Sequence, residues 1–377
     1  MELVWRTVDD DQLQFIQETV AFLQSEFCPA GAEPMWSAEY MRWKLSEWNP
    51  AGAGHISIAL IEDKVVGVVS LTRKRVLING TQYIVGEVGD SYSSSTIRRT
   101  AKPELLSIFN SDPNSYVNKS IFGRLASNVR RRAEESGVDL IYGTPNANAY
   151  PGWTKRLGYF DYSESNNYIY TRPTTFLIGA KFNISKNVLG VISGFDESVR
   201  RLISFILYPV LSSQVILTSA MPASEEIDSL WHELKLKTGM SLVRDAAYWS
   251  HRYMEHPLAK YSWFAFRRDD RLIGLATARL IRMSDSRRSV LIAEWMIRKD
   301  ISFGYVLAEI MRYFSNESPH TYSILAEKDS ENANQAKRQL FFARSRLPVI
   351  FSEGPLSENL KKKRTKFDFF LGTCDAV

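Results

Sequence analysis

The sequence predicts a mixed α/β (α+β) fold in which one plan, a twisted and mostly antiparallel sheet flanked by helices, occurs twice in tandem. Pro50, Gly67 and Glu87 recur as Pro257, Gly274 and Glu294 with the same internal spacing. A Trp/Tyr/Lys/Arg-rich segment precedes each proline (YMRWKLSEWNP and YWSHRYMEHP), and an alternating apolar run follows it (HISIALIEDKVVGVVSL and YSWFAFRRDDRLIGLATA). Finally, 377 residues exceed the size at which one hydrophobic core stops growing and chains divide. The repeat is too long for a solenoid unit and fits two fused domains. We expect the first at residues 1–170, a linker or shared helix at 171–212, and the second at 213–377.

Each element of the first half has a local cause. VWRTV reads as a strand. Asp9 then caps a helix, with Gln12 completing a capping box and Leu13, Ile16, Val20 and Leu23 recurring at helical spacing. A second helical stretch over residues 36–48 ends at Asn49-Pro50, since a residue before proline avoids the helical region. Four strands in meander order are expected at Ile56–Ile61, Val65–Thr72, Arg75–Ile78 and Tyr83–Val88, the last pair joined through the Asn79-Gly80 turn. After Asp90 a stretch rich in Ser, Asn and Pro interrupts the pattern; loops of that length in compact domains are usually functional or mobile. A helix starts near Lys119, places Ile121, Leu125 and Val129 on one side and stops at Gly137. VDLIYG is a short buried strand, and a final helix and strand follow. The second half repeats this order more weakly: VILTSAM, the helix ASEEIDSLWHELK, paired strands to Glu294, a helix from Phe303, TYSILAE, and NANQAKRQLFF.

Composition excludes several classes. With 45% hydrophobic and 24% charged residues the chain is neither disordered nor fibrous. Its longest apolar run, Leu202–Leu211, is about half of what a bilayer crossing needs and contains Pro209, so it reads as a buried helix. The start MELVWRTVDD lacks the basic and small-residue pattern of a secretory signal, and a cytoplasmic location is expected. Cys28 and Cys374 lie too far apart in sequence for a CxxC metal site and have no neighbouring His for covalent catalysis; no metal is expected. His251 and His256 miss the i, i+4 spacing that puts two ligands on one helical face and read as solvated or capping residues. A net charge of +5 suits anionic partners such as phosphates, and equally a solvated basic face; the Lys361–Arg364 run reads as a terminal patch rather than a nucleic-acid stripe.

The segment Leu140–Tyr159, LIYGTPNANAYPGWTKRLGY, together with the element order around it, resembles the GNAT superfamily of acyl-CoA-dependent N-acyltransferases, and the whole chain resembles its tandem members. The resemblance implies an acyl-CoA thioester as co-substrate, with its pyrophosphate on the first amides of the helix after the fourth strand. A helix N-terminus suits an anion on physical grounds too, through free N–H groups and a partial positive charge. The matching residues are Asn118, Lys119, Ser120, Ile121, Phe122 and Gly123, with Ser120 where the family keeps a glycine. The corresponding run Arg298–Gly304 carries Asp300, which would repel a phosphate, so the first copy is expected to hold the cofactor. By the same resemblance Val88 and Gly89 face the thioester, and Asn146, Asn148 and Trp153 line the pantetheine path. Glu87 and Asp90 are candidate bases or structural carboxylates, and Gly86 and Gly89 permit a bulged strand there. The family's thiolate-protonating tyrosine is replaced by Thr154, with Tyr150 one turn earlier as substitute. Tandem members include enzymes acting on nucleotide-linked amino sugars. With a protein or peptide amine as acceptor, or a non-catalytic binding protein, as the alternatives, the resemblance thus implies transfer of an acyl group to a dTDP-linked amino-deoxy sugar. For such an acceptor the first half offers Trp36, Tyr40, Trp43, Lys44, Arg73, Tyr92 and Arg98 as aromatic and cationic contacts, although Trp36, Tyr40 and Trp43 also fit a helix packing on its core.

Overall fold

A computed structural model describes residues 3–8, 13–27, 36–46, 48–94, 120–171, 216–235, 239–282, 287–299, 301–363, 365 and 367–368. The first copy runs β1 (Leu3–Val8), α1 (Leu13–Phe27), α2 (Ala38–Leu45), β2 (His55–Ile61), β3 (Lys64–Ile78), β4 (Thr81–Ser93), α3 (Ile121–Glu135), β5 (Leu140–Gly143), α4 (Tyr150–Arg156) and β6 (Phe160–Thr171). The second repeats it: β7 (Ile216–Thr218), α5 (Ser224–Leu234), an added β8 (Met240–Leu242), α6 (Ala246–Trp249) running into a π-turn at Ser250–Met254, β9 (Ser262–Arg268), β10 (Arg271–Arg282), β11 (Arg288–Ile297), α7 (Phe303–Tyr313), β12 (Thr321–Glu327), α8 (Glu331–Arg338) and β13 (Phe342–Phe351). A tail of α9 (Pro355–Lys363) and β14 (Phe367–Asp368) follows. The expected linker, the apolar run Leu202–Leu211, Asp9 and both cysteines lie outside the described residues.

The strands form one sheet, in the order β1-β2-β3-β4-β5-β13-β6-β12-β11-β10-β9-β7. Its centre is an exchange between the copies. β13 pairs with β5 through Ile350↔Gly143 and Phe351↔Tyr142, while β6 pairs with β12 from Thr321↔Thr171 to Glu327↔Ser165. The exchanged strands also pair with each other, from Phe342↔Ile169 to Phe351↔Phe160. On one sheet face, a single core joins Val76, Val85 and Tyr142 of the first copy to Ile227, Trp231 and Trp249 of the second. On the other, α3 packs Leu125 and Val129 against Val69, Leu71 and Val88.

Two expectations need correction. Val65–Thr72 and Arg75–Ile78 are one strand, β3, not two. The TRKR run resembles a turn by its charge, but Lys74 is paired with Glu87 at 2.6 Å and Arg75 with Asp245 at 2.8 Å, so the chain continues extended. It turns at Asn79-Gly80, where φ is +50° and +83° and Ile78 faces Thr81, as a tight primed hairpin requires. Secondly, the repeat of Glu87 as Glu294 is a coincidence of spacing. Gly67 lies opposite Ser93 and Gly274 opposite Ile297, so the residue level with Glu294, three before its glycine's partner, is Asp90. The repeated glycine has a packing reason: a Cβ on Gly67 would stand 2.8 Å from Ile121 Cγ2, and one on Gly274 3.2 Å from Ile297 Cγ2. Both allow the helix after the fourth strand, or the strand itself, to approach closely.

Because each copy completes the other's sheet, cutting the chain between residues 171 and 216 leaves two halves with open strand edges. Expressed alone, each half is expected to aggregate; co-expressed, they are expected to co-elute one to one in size-exclusion chromatography. Two independently folded monomers would contradict the exchange.

Candidate functional site

β5 covers only Val85–Val88 of β4, yet β4 runs on to Ser93. Pairing stops at Val88↔Gly143, where β5 ends, and Gly143 lacks a Cβ where one would lie 2.6 Å from Val88 Cγ2. The start of α3 sits at this same end of the sheet, since Ile121 rests on Gly67 opposite Ser93. Ser120 is the N-cap: its Oγ accepts from Gly123 N at 2.9 Å, which leaves the amides of Ile121 and Phe122 as the first-turn donors not taken by the cap. Phe122 in turn meets α4, edge-on to Trp153 at 5.1 Å and against Gly152. The end of the β4–β5 pairing and the amide end of α3 thus lie at one end of the sheet, as an extended ligand with an anionic middle requires.

Several expected contacts around this end of the sheet are structural instead. Trp153 is 2% exposed and packs on Phe122 and Tyr159, so it belongs to the core rather than to a pantetheine path; the side chain of Val88 is also in that core. Asn146 Oδ1 accepts from the amides of Asn148 and Ala149, both at 3.0 Å, which builds the turn into α4. Asn148 is exposed. The Tyr150 hydroxyl donates to Asp161 Oδ2 at 2.5 Å, and that hydrogen bond raises the phenol above its ordinary pKa. Thr154 Oγ1 donates to the Tyr150 carbonyl. Asn118, Lys119 and Arg98 lie outside the described residues.

The other face of β4 is charged. At Asp90 the strand bulges, and φ is +43°. The turned carboxylate receives Lys44 Nζ at 2.8 Å, Ser70 Oγ at 2.7 Å and Trp36 Nε1 at 2.9 Å. Burial alone would raise its pKa; the Lys44 charge and the three hydrogen bonds outweigh burial and hold it below the ordinary carboxylate value. Asp90 is therefore a clamp and a poor base. Gly89 has the reason expected of it and one more, since a Cβ there would meet Lys44 Nζ at 3.0 Å. Two residues before it, Glu87 is 3% exposed and pairs with Lys74.

Of the expected acceptor contacts, Tyr40 is buried and stacks on Trp43, Trp36 is committed to Asp90, and Tyr92 donates to Glu26 Oε2 at 2.6 Å. Trp43, Lys44 and Arg73 do come together. They line an open cleft between the copies, about 480 Å³ of non-protein space, facing Tyr248 and Arg252 of the second copy. Those second-copy residues escaped the sequence reading because nothing in YWSHRYMEHP signals that its far end folds against α2. The two histidines prove to be buried; His256 Nδ1 accepts from Leu258 N and Ala259 N, the capping role expected, and its ring lies 4.5 Å from Trp43.

The second copy keeps the frame. Ser302 caps α7 through Tyr305 N at 3.1 Å, as Ser120 caps α3; aligned on these caps, Gly304 matches Phe122 and not Gly123. Glu294, level with Asp90, accepts from Tyr248 and Tyr253, both at 2.6 Å. The next residue, level with Ser91, is Trp295. It is 3% exposed and its ring centre is 4.5 Å from that of Phe303, the first residue of α7. A buried indole thus packs on the start of the helix where the first copy has Ser91.

The sequence matches no family model and no curated protein. The architecture is shared with solved structures. A tandem GNAT protein from the clavulanic acid biosynthesis pathway superposes with a TM-score of 0.57 at 12% identity, over 94% of this chain and 99% of its own. The fold is a tandem GNAT fold. A probable N-acyltransferase from Enterococcus faecalis V583 shares it at TM-score 0.55 and 12% identity, over 93% of this chain and 72% of its own. So does Saccharomyces cerevisiae N-myristoyltransferase, solved with myristoyl-CoA, at TM-score 0.56 and 9% identity over 93% and 82%. Among the described residues of this tandem GNAT fold, no helix is long and apolar enough to cross a membrane and no His/Cys/Asp/Glu cluster could hold a metal.

Removing one partner of a buried ion pair strands the other. Lys44→Met is expected to lower stability by about 3–5 kcal/mol in urea titrations. The folded pKa of Asp90 is depressed, so its contribution is present above the unfolded value of about 3.9 and is lost as pH falls through the folded one. Asp90→Asn should therefore be destabilised at neutral pH, with the difference from wild type shrinking below about pH 4; a pH-independent difference would contradict the clamp.

Proposed function

We propose that the chain is an acyl-CoA-dependent N-acyltransferase whose first copy binds the cofactor and whose acceptor is the amine of a dTDP-linked amino-deoxy sugar. The observation that carries the reading is the amide end of α3 beside the point where β4–β5 pairing stops in the first copy, where the second copy packs Trp295 on Phe303. There the amides of Ile121 and Phe122 hold the pyrophosphate, preceded in sequence by Asn118 and Lys119, and the pantetheine arm runs along Val88 and Gly89. The acceptor enters from the opposite face, along Trp43, Lys44 and Arg73. A cationic and aromatic cleft supports a phosphate-bearing, ring-containing acceptor over an uncharged amine.

The reaction is direct attack. The amine nitrogen adds to the thioester carbonyl, the C–N bond forms, the C–S bond breaks, and the electron pair leaves on sulfur. Asp90 is saturated by three donors, Glu87 is buried and paired with Lys74, and Tyr150 is tied to Asp161, so all three are engaged within the fold. The departing thiolate, with a parent pKa of about 8.5, therefore collects the amine's proton.

Thiol release from short acyl-CoAs is expected with dTDP-amino sugars and absent without the acceptor; release with no such acceptor would discard the sugar assignment. Calorimetry is expected to give one CoA per chain, and two would contradict the assignment to the first copy. Glu87→Gln is expected to lower kcat by no more than a few-fold with unchanged CoA affinity; a loss of about 10²-fold or more would show that Glu87 takes the amine proton.

A further inference from the structure

The two carboxylates that stand level in the two copies, Asp90 and Glu294, are joined by a continuous run of contacts. Glu294, buried on β11, accepts from the hydroxyls of Tyr248 and Tyr253, both at 2.6 Å. Those tyrosines are five apart, which on an α-helix of 3.6 residues per turn would set them about 140° around the axis. The π-turn at Ser250–Met254, in which Glu255 N donates to the Ser250 carbonyl at 2.9 Å, widens the coil and brings both hydroxyls to one carboxylate. The turn so fixed presents the His251 carbonyl to α2, where Trp43 Nε1 donates to it at 2.9 Å. The Trp43 ring also packs on His251 and His256, with centres 4.9 and 4.5 Å apart. The next residue of α2 is Lys44. It binds Asp90 at 2.8 Å and lies so close over the bulge that a Cβ on Gly89 would come within 3.0 Å of its Nζ. Trp36, two residues before α2, is another of the three donors to Asp90. With φ at +43°, Asp90 holds a conformation that a residue other than glycine keeps only where its surroundings over-determine it. Two of the three groups that do so belong to α2 or its entry, and the second copy holds α2 at Trp43. The start of α6 is tied independently: Asp245 caps it through Tyr248 N at 3.0 Å and grips Arg75 of β3 at 2.8 and 2.9 Å.

We propose that Glu294 is a positioning residue for the first copy's site: by holding Tyr248 and Tyr253 it fixes the π-turn, the turn fixes Trp43, and α2 thereby holds Lys44 on the Asp90 bulge. The second copy thus sets the shape of β4 in the first. That a coenzyme lies along Val88 and Gly89, beside this bulge, rests on the functional reading above; the link between the copies stands without it.

The test uses the full chain and two readouts. Glu294→Gln removes the charge that both hydroxyls meet, Tyr253→Phe one of those hydroxyls, and Trp43→Phe the bond to His251. In hydrogen exchange followed by mass spectrometry, each is expected to speed exchange by about tenfold or more over residues 38–45 and 84–93, while α3 (Ile121–Glu135), on the other sheet face, exchanges as in wild type. Should Glu294→Gln not fold, Tyr253→Phe carries the same expectation. Faster exchange confined to residues 246–256 would mean that the carboxylate stabilises only its own copy, and equal loosening of α3 that it stabilises the fold at large; either overturns the proposal. By calorimetry, each variant is expected to bind acetyl-CoA about tenfold more weakly, and the Tyr253→Phe/Trp43→Phe double variant no more weakly than the weaker-binding single one, because both act through one run of contacts. Additive losses, or affinity unchanged in all three, overturn it as well. A wild type that binds no acetyl-CoA sinks the acyltransferase reading instead, and the exchange result alone then decides the link.

Discussion

The antiparallel pairing of β6 with β13 is the constraint on which the rest of this molecule depends. Each strand leaves its own copy and lies beside the other's fifth strand, so the register Phe342↔Ile169 to Phe351↔Phe160 fixes where one copy stands relative to its twin. Neither sheet is complete without the exchange. The same pairing sets α2 of the first copy against α6 and its π-turn in the second, and so creates the cleft in which cations from both copies converge. A duplicated fold with a flexible tether would have no such cleft to offer.

Symmetry of the frame makes the divergence of the copies informative. Both keep a closely packed glycine on the third strand, under the helix in the first copy and against the fourth strand in the second, a serine cap on the helix after the fourth strand, and a carboxylate on that strand three residues before the glycine's partner. In the first copy the carboxylate is Asp90, clamped by a lysine, a serine and an indole, and the following residue is a serine. In the second it is Glu294, clamped by two tyrosines, and the following residue is a tryptophan that packs on Phe303. Burying an indole against Phe303 stabilises the start of the second copy's helix. The two copies thus differ most where the proposed cofactor reading places its ligand.

Much of this was legible in the sequence. Element order, the Asn79-Gly80 turn, the cap at Ser120 and the stop at Gly137 are local signals, written in a few adjacent residues. The bulge expected near Gly86 and Gly89 is there as well, at Asp90. What the sequence concealed is long-range. Strand exchange leaves no mark on the strands that exchange, because β6 and β13 alternate as they would beside their own partners. Four cationic or hydroxyl residues at Thr72–Arg75 imitate a turn, and only the carboxylates that neutralise them, brought from β4 and from the second copy, explain an unbroken strand. The equal spacing of Glu87 and Glu294 misled for a related reason: hairpins of different length shift the register, and spacing in sequence cannot report it. Trp153 and Tyr40 were expected at a ligand from their residue type, yet an aromatic at helical spacing is equally a core residue, and packing decided for the core.

We propose a coenzyme on the amide end of α3 in the first copy and an acceptor in the cleft between the copies. A crystal structure of the full chain grown with acetyl-CoA and dTDP tests this most directly. Density for the coenzyme diphosphate on the amides of Ile121 and Phe122, with the nucleotide along Trp43, Lys44 and Arg73, is the result expected. Coenzyme density beside Trp295 and Phe303, or the two ligands sharing one site, would contradict it.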